Sequence, residues 1–138
     1  MRNLRLIFIT IWALCAFSCV DNDIPNTNGM WQLKTIEDKE GIIHPVDTIY
    51  YSFQRQCVFS YTSLEKNELG HEKAWVRYGY VDFPNDKLMH IKMDQGNDEA
   101  TLNSLPWKGM EVEYEILHLS SKKMTLGFEG ETYSFIKF

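Results

Sequence analysis

The chain lacks a pair of cysteines that could form a disulfide framework. Of its three cysteines, Cys15 lies within an apolar run, Cys19 lies at the polar edge of that run and Cys57 stands alone downstream, so stability has to come from packing. Positive charge is also scarce. Fourteen Lys and Arg face nineteen Asp and Glu, for a net charge of −5, and no dense basic cluster interrupts the balance. Phosphate backbones and anionic lipid surfaces are therefore repelled rather than collected. The four histidines His44, His71, His90 and His118 are scattered, and none has a second histidine or cysteine at metal-ligand spacing. There is no nucleophile elbow, no Gly-rich phosphate loop and no recognisable pair of catalytic carboxylates. The oxygen-rich stretch 94–99 lacks the full calcium-loop pattern and reads as a solvated turn. These absences argue against an enzyme, a metal site and a bound cofactor. No repeat and no low-complexity segment is present.

What the chain does have begins at its amino terminus. Arg2 and Arg5 precede an apolar run at 6–17 that is too short to span a bilayer comfortably, and Ser18 is a small residue directly before Cys19. This pattern resembles a bacterial lipoprotein signal, with cleavage before Cys19 and lipid attached to its thiol and new amino terminus. An ordinary secretory peptide and an uncleaved anchor are the blander alternatives. The expected organisation is a signal peptide at 1–18, a lipidated flexible tether at 19–28 rich in Asn and Asp, and one domain at 29–138. Cleavage removes Arg2 and Arg5, so the remaining 120 residues of the 138 carry a charge of −7. The acidic stretch 20–23 resembles the export signals of surface-exposed lipoproteins in the Bacteroidetes, which implies attachment to the cell outer membrane with the domain facing outward.

From Gly29 onward the hydrophobic pattern has a period of two, broken at short intervals by turn residues. Eight strands are expected, at 30–37, 47–54, 56–63, 73–83, 87–93, 110–119, 122–129 and 131–137. In the sixth, Val112, Tyr114 and Ile116 alternate with Glu111, Glu113 and Glu115. Short connections at Asn85-Asp86, Ser120-Ser121 and Gly130 predict consecutive antiparallel pairing. Closing the meander into a barrel removes its two open edges. The fold class is therefore all-β: an eight-stranded antiparallel up-and-down barrel with one short helix in the connection before strand six. In that connection Asn97 or Asp98 caps a helix that Pro106 stops. Leu102 and Leu105 are expected to face inward, with Trp107 where the chain re-enters the wall. The segment is either a lid over a cavity or a cap on a filled core.

Gly29-Met30-Trp31 on the first strand resembles the Gly-x-Trp motif that opens lipocalins, and over 29–138 the chain is similar to the lipocalin-like lipoproteins of Bacteroidetes. The resemblance implies a barrel whose floor is closed by Trp31 and covered by a basic side chain, Lys137 or Lys123; no arginine follows Arg77. Candidate ligand-binding residues come from alternation: Tyr51, Phe53, Phe59, Tyr61, Tyr78, Tyr80 and Tyr114 are expected to point inward, giving hydroxyls on apolar rings. Cys57 shares the phase of Phe59 and is expected in the core. Trp75 and Arg77 are expected outside as a sticky patch. Two functions follow: a carrier of one small hydrophobic or amphiphilic molecule, and an envelope interaction or scaffold module with a filled barrel that meets a protein partner.

Overall fold

The computed structural model describes residues 27–66, 68–70, 72–103 and 105–138. The expected signal peptide, Cys19 and all of the tether except Thr27 and Asn28 lie outside the described residues. Among the described residues no helix is long and apolar enough to cross a membrane.

Nine strands run in chain order: β1 Gly29–Glu37, β2 Ile43–Pro45, β3 Ile49–Gln54, β4 Cys57–Lys66, β5 Glu72–Asn85, β6 Leu88–Met93, β7 Glu111–Leu119, β8 Lys123–Phe128 and β9 Glu131–Lys137. One helix, α1 (Glu99–Asn103), lies between β6 and β7. Each strand from β3 to β8 pairs antiparallel with the next, and β1 pairs with both β3 and β9. The sheet thus closes on itself as an eight-stranded barrel, with β2 as an extra strand along the end of β1. The eight expected strands correspond to β1 and β3 to β9.

Local chemistry explains the turns. Glu129 and Gly130 both have positive φ (50° and 86°), the pair of left-handed residues that a type I′ hairpin needs. Asn85 Oδ1 accepts from the Lys87 amide at 2.9 Å, and Ser120 Oγ accepts from the Lys123 amide at 3.0 Å; such side-chain caps substitute for backbone bonds in tight turns. The short β2 was missed because its three residues are all exposed and show no alternation. Asp38 holds it in place. Its carboxylate accepts from the Ile42 amide at 2.8 Å and lies 2.7 Å from His44 Nε2, and these contacts hold the carboxyl below its ordinary range, His44 contributing most.

The barrel floor forms around Trp31, which is fully buried. Its register partners are Tyr51 on β3 and Lys137 on β9. The indole Nε1 donates to the Thr27 carbonyl at 2.7 Å, and Lys137 Nζ lies 5.3 Å from the ring centre, within cation–π range. Of the two lysines expected there, Lys137 is the one over the ring. Gly29 makes this arrangement possible. It has φ of 118°, and a Cβ at that position would stand 2.8 Å from Lys137 Cε, so a larger residue would be strained and would crowd the lysine.

The inner face carries Leu33, Phe53, Met89, Ile91, Met124 and Leu126 among its buried side chains. Trp31→Ala is expected to destabilise the domain by about 3 to 5 kcal/mol, since a large buried ring leaves a cavity that the barrel wall cannot fill. A urea midpoint equal to that of the unmodified protein would contradict this placement.

Candidate functional site

The site is built from the middle of the barrel outward. Tyr51 on β3 and Tyr114 on β7 point inward and are buried. Tyr51 packs against Phe135 with ring centres 5.3 Å apart, and Tyr114 packs against Tyr133 at 5.5 Å. Trp107 comes down between the two tyrosines from above, 5.7 Å from Tyr51 and 5.9 Å from Tyr114, both edge to face. Such contacts between rings add to the burial term. This half of the lumen is therefore filled by interlocking aromatic side chains.

The opposite wall is polar. On β4 the inward residues are Val58, Ser60 and Thr62, and on β5 they are Arg77, Gly79 and Val81. The guanidinium of Arg77 is fully buried. It donates to Ser60 Oγ at 3.2 Å and to Thr62 Oγ1 at 2.9 Å, both from the neighbouring strand, where Ser60 is its direct register partner. Arg77 also lies 6.0 Å from the ring centre of Trp75, which is on the same face nearer the mouth. Burial pulls the pKa of Arg77 down, and Tyr51 and the Asp98 carboxylate act in the other direction.

Between the aromatic half and Arg77 lie two unsatisfied groups. The hydroxyls of Tyr51 and Tyr114 are inaccessible to solvent and reach no partner at full hydrogen-bond geometry; they face each other, with the Tyr114 hydroxyl directed at Tyr51. Burial pushes both phenols far above their ordinary range, so each hydroxyl stays protonated and is available as a donor. Tyr133 differs, because its hydroxyl donates to the Glu131 carboxylate.

The mouth is closed by the connection 94–110. Leu102, Leu105 and Trp107 are buried in the core, and the indole of Trp107 donates to the Gly109 carbonyl at 3.0 Å. This segment attaches to the wall at a gap in the sheet. The ladder between β5 and β6 ends at Gly79 and Met93, and the next residue of β5 toward the mouth, Tyr78, is bonded by the cap instead. Asn97 Oδ1 accepts from the Tyr78 amide at 3.1 Å while Asn97 Nδ2 donates to its carbonyl at 2.8 Å. The side chain of Asn97 thus replaces a strand. The helical part is the five-residue α1, shorter than the two turns expected.

Four of the seven expected lumen residues are corrected. Tyr51, Phe53 and Tyr114 do point inward, whereas Phe59 and Tyr61 are on the outer face of β4, and Tyr78 and Tyr80 on the outer face of β5 are 44% and 58% exposed. Cys57 is exposed as well. Arg77, expected outside, is inside. The cause is an inverted pair of strands. Ser60, Thr62, Arg77 and Gly79 form the inner stripe, so placing the apolar residues inward selects the wrong phase. The two strands invert together, because Ser60 lies opposite Arg77 and Phe59 opposite Tyr78. Tyr61 instead borders an open outer groove of about 490 Å³ together with Met30, Tyr50 and Phe138. Among the described residues no three His, Cys, Asp or Glu side chains gather where they could hold a metal ion.

Comparison with known proteins adds a fold and a family. A family model described as a lipocalin-like domain matches residues 12–138. Two solved structures resemble the chain. One is a lipocalin-like protein from Bacteroides uniformis, 22% identical with a TM-score of 0.68, covering 80% of this chain and 97% of its own. The other is an uncharacterized protein from Bacteroides eggerthii, 28% identical with a TM-score of 0.63, covering 80% of this chain and 98% of its own. No curated protein matches the chain.

An unpartnered buried hydroxyl costs free energy that its removal recovers. Tyr51→Phe and Tyr114→Phe are therefore expected to leave the ligand-free domain as stable as before or more stable by about 1 kcal/mol. A loss of about 2 kcal/mol or more in urea denaturation would show that the hydroxyl has a partner in the folded protein.

Proposed function

The chain belongs to the lipocalin-like domain family, and from that membership and the chemistry of its lumen we propose that it is a non-catalytic protein that binds one small amphiphilic molecule inside the barrel. The observation that carries this reading is the pair of buried, unsatisfied tyrosine hydroxyls beside the buried Arg77. A barrel that served only as a packed scaffold gains nothing from polar groups it cannot satisfy, and an apolar interior of the same shape would be more stable. A bound molecule that offers an acceptor removes the cost. The cap at 94–110 is the natural entrance, because it is held to β5 at Tyr78 by the Asn97 side chain and the Asp94 amide rather than by a continuing strand ladder.

The proposed setting is the outer surface of the cell. Lipid on Cys19 would anchor the domain to the outer membrane through the short acidic tether, and the overall negative charge would hold the barrel away from anionic headgroups. A second reading has its own support. Phe59, Tyr61, Val76, Tyr78 and Tyr80 share the outer face of the β4–β5 hairpin, with Tyr61 opposite Val76 and Phe59 opposite Tyr78. Exposed aromatic clusters of this kind suit an envelope protein partner.

Native mass spectrometry of residues 20–138 purified without detergent separates the two readings. A stoichiometric extra mass released by organic solvent is the expected result and supplies the ligand's composition; a bare polypeptide from every preparation would favour the interaction module. Cys19→Ser is expected to move the full chain from the membrane to the soluble fraction. Continued pelleting with membranes would overturn the lipid anchor.

A further inference from the structure

The outer wall formed by β3, β4 and β5 is unlike the rest of the surface. Every outward position at 50–54 on β3, at 57–63 on β4 and at 74–80 on β5 is uncharged, although 24% of the chain is Asp, Glu, Lys or Arg. Register aligns these positions in rows across the strands: Tyr50, Tyr61 and Val76 make one, and Ser52, Phe59 and Tyr78 make the next. Val76, Tyr78 and Tyr80 are 52%, 44% and 58% exposed. By contrast, β6 and β7 turn His90, Lys92, Glu111, Glu113 and Glu115 outward.

The face has relief of two kinds. On its β5 side the side chains of Val76, Tyr78 and Tyr80 stand out into solvent. On its β1 side the groove of about 490 Å³ bordered by Met30, Tyr50, Tyr61 and Phe138 is hollow, and Phe59 on β4 lies between the two. A two-fold axis running along β4 sets β5 of one copy against the β1 and β3 side of the other. One surface then supplies both projection and recess, as an isologous contact requires. Its polar groups are self-complementary too, because Tyr and Ser hydroxyls and the Gln54 amide each donate and accept. A carboxylate would meet its own copy only as a like charge. For a chain of net charge −5 the approach of a second copy is opposed least through the wall that carries no charge.

The area suits such a contact. Strands about 5 Å apart and side-chain rows about 7 Å apart make the face roughly 15 Å by 25 Å. With side-chain relief it offers about 600 Å² of accessible surface, so two copies bury about 1,200 Å², the lower end of what specific interfaces bury.

Resting on the second reading above, in which this face meets a protein, we propose that the partner is a second copy of the chain, packed as a two-fold dimer through β3, β4 and β5 with the β5 side chains of each protomer seated in the Tyr50 and Tyr61 groove of the other. The modest area makes this a dimer that forms and separates with concentration.

Residues 29–138 complete the closed barrel and its core, so the test uses residues 20–138, in which Cys57 is the single cysteine. Sedimentation velocity over a wide range of protein concentration is expected to show one chain becoming two, with a midpoint in the micromolar range. Added sodium chloride is expected to tighten the dimer several-fold by screening the repulsion between copies. A short bismaleimide is expected to join two chains through Cys57, which is exposed on this face opposite Tyr80. Val76→Glu, which sets like charges in the contact, is expected to weaken association about tenfold or more and to remove the cross-link; Tyr80→Ser is the second variant should Val76→Glu fail to fold. Glu113→Gln, outside the face, is expected to leave the cross-link in place. A single chain at every concentration would overturn the proposal and leave the face to a foreign protein. Association that Val76→Glu and Tyr80→Ser leave intact would overturn it by placing the contact elsewhere. Sedimentation of the monomer with phosphatidylcholine vesicles, lost in Val76→Glu, would assign the face to a lipid surface and overturn the interaction reading with it.

Discussion

The structure depends on a single seam. β1 must pair on both sides, with β3 along one edge and β9 along the other, and Trp31 lies where the two pairings coincide, opposite Tyr51 and Lys137. An eight-stranded meander that failed to close here would leave two long edges open to other chains. Gly29 admits Lys137 over the indole, the indole reaches the Thr27 carbonyl, and the start of the domain is fixed to its last strand. At the floor, the β1–β9 ladder and the burial of one large ring together hold first and last strands in place. The opposite end is under no such constraint, and there the chain departs from regular sheet.

Much of this was legible from residue order because strand alternation is a local property. The eight strands of the barrel, their antiparallel sequence, the Gly-x-Trp floor and the inward Leu102 and Leu105 all follow from short-range patterns. The phase of β4 and β5 was not legible, since the rule that places apolar residues inside assumes that the outside is polar. Here the outer face bears Phe59, Tyr61, Tyr78 and Tyr80, and the inner face bears Ser60, Thr62 and Arg77. Only register settles the matter. Phe53 opposite Val58 and Ser60 opposite Arg77 carry the inward phase from the unambiguous β3 across to the ambiguous pair. β2 was hidden for a different reason: three exposed residues held by Asp38 carry no periodic signal.

The inverted hairpin also divides the lumen. One side is a set of rings that meet at 5.3 to 5.9 Å around Tyr51, Tyr114 and Trp107, and the other is a cation with two hydroxyls. Buried polar groups of this kind lower stability relative to a uniformly apolar filling, and the two open tyrosine hydroxyls lower it further. Aromatic residues displaced to the outside of the same strands add no compensating burial. A fold with an abundant supply of Leu, Ile and Met elsewhere on its inner face does not need this arrangement for packing, which is why the polar stripe, and not the aromatic content, supports the proposed binding function.

The cap follows from where β6 ends. Had β6 continued past Met93, a backbone ladder would bond β5 beyond Gly79, and the mouth could open only by breaking a series of hydrogen bonds at once. Instead the chain turns in at Asp94, whose amide bonds the Tyr78 carbonyl, and Asn97 adds a two-bond imitation of a strand at the same residue. Closure beyond that point rests on Leu102, Leu105 and Trp107 seated in the barrel. These are contacts that the hydrocarbon part of an amphiphile reproduces in kind, taking the place of the leucines and the indole. The segment that seals the barrel thus fills it with the same kind of apolar surface that a bound amphiphile would bring, so exchange of one for the other preserves the apolar filling.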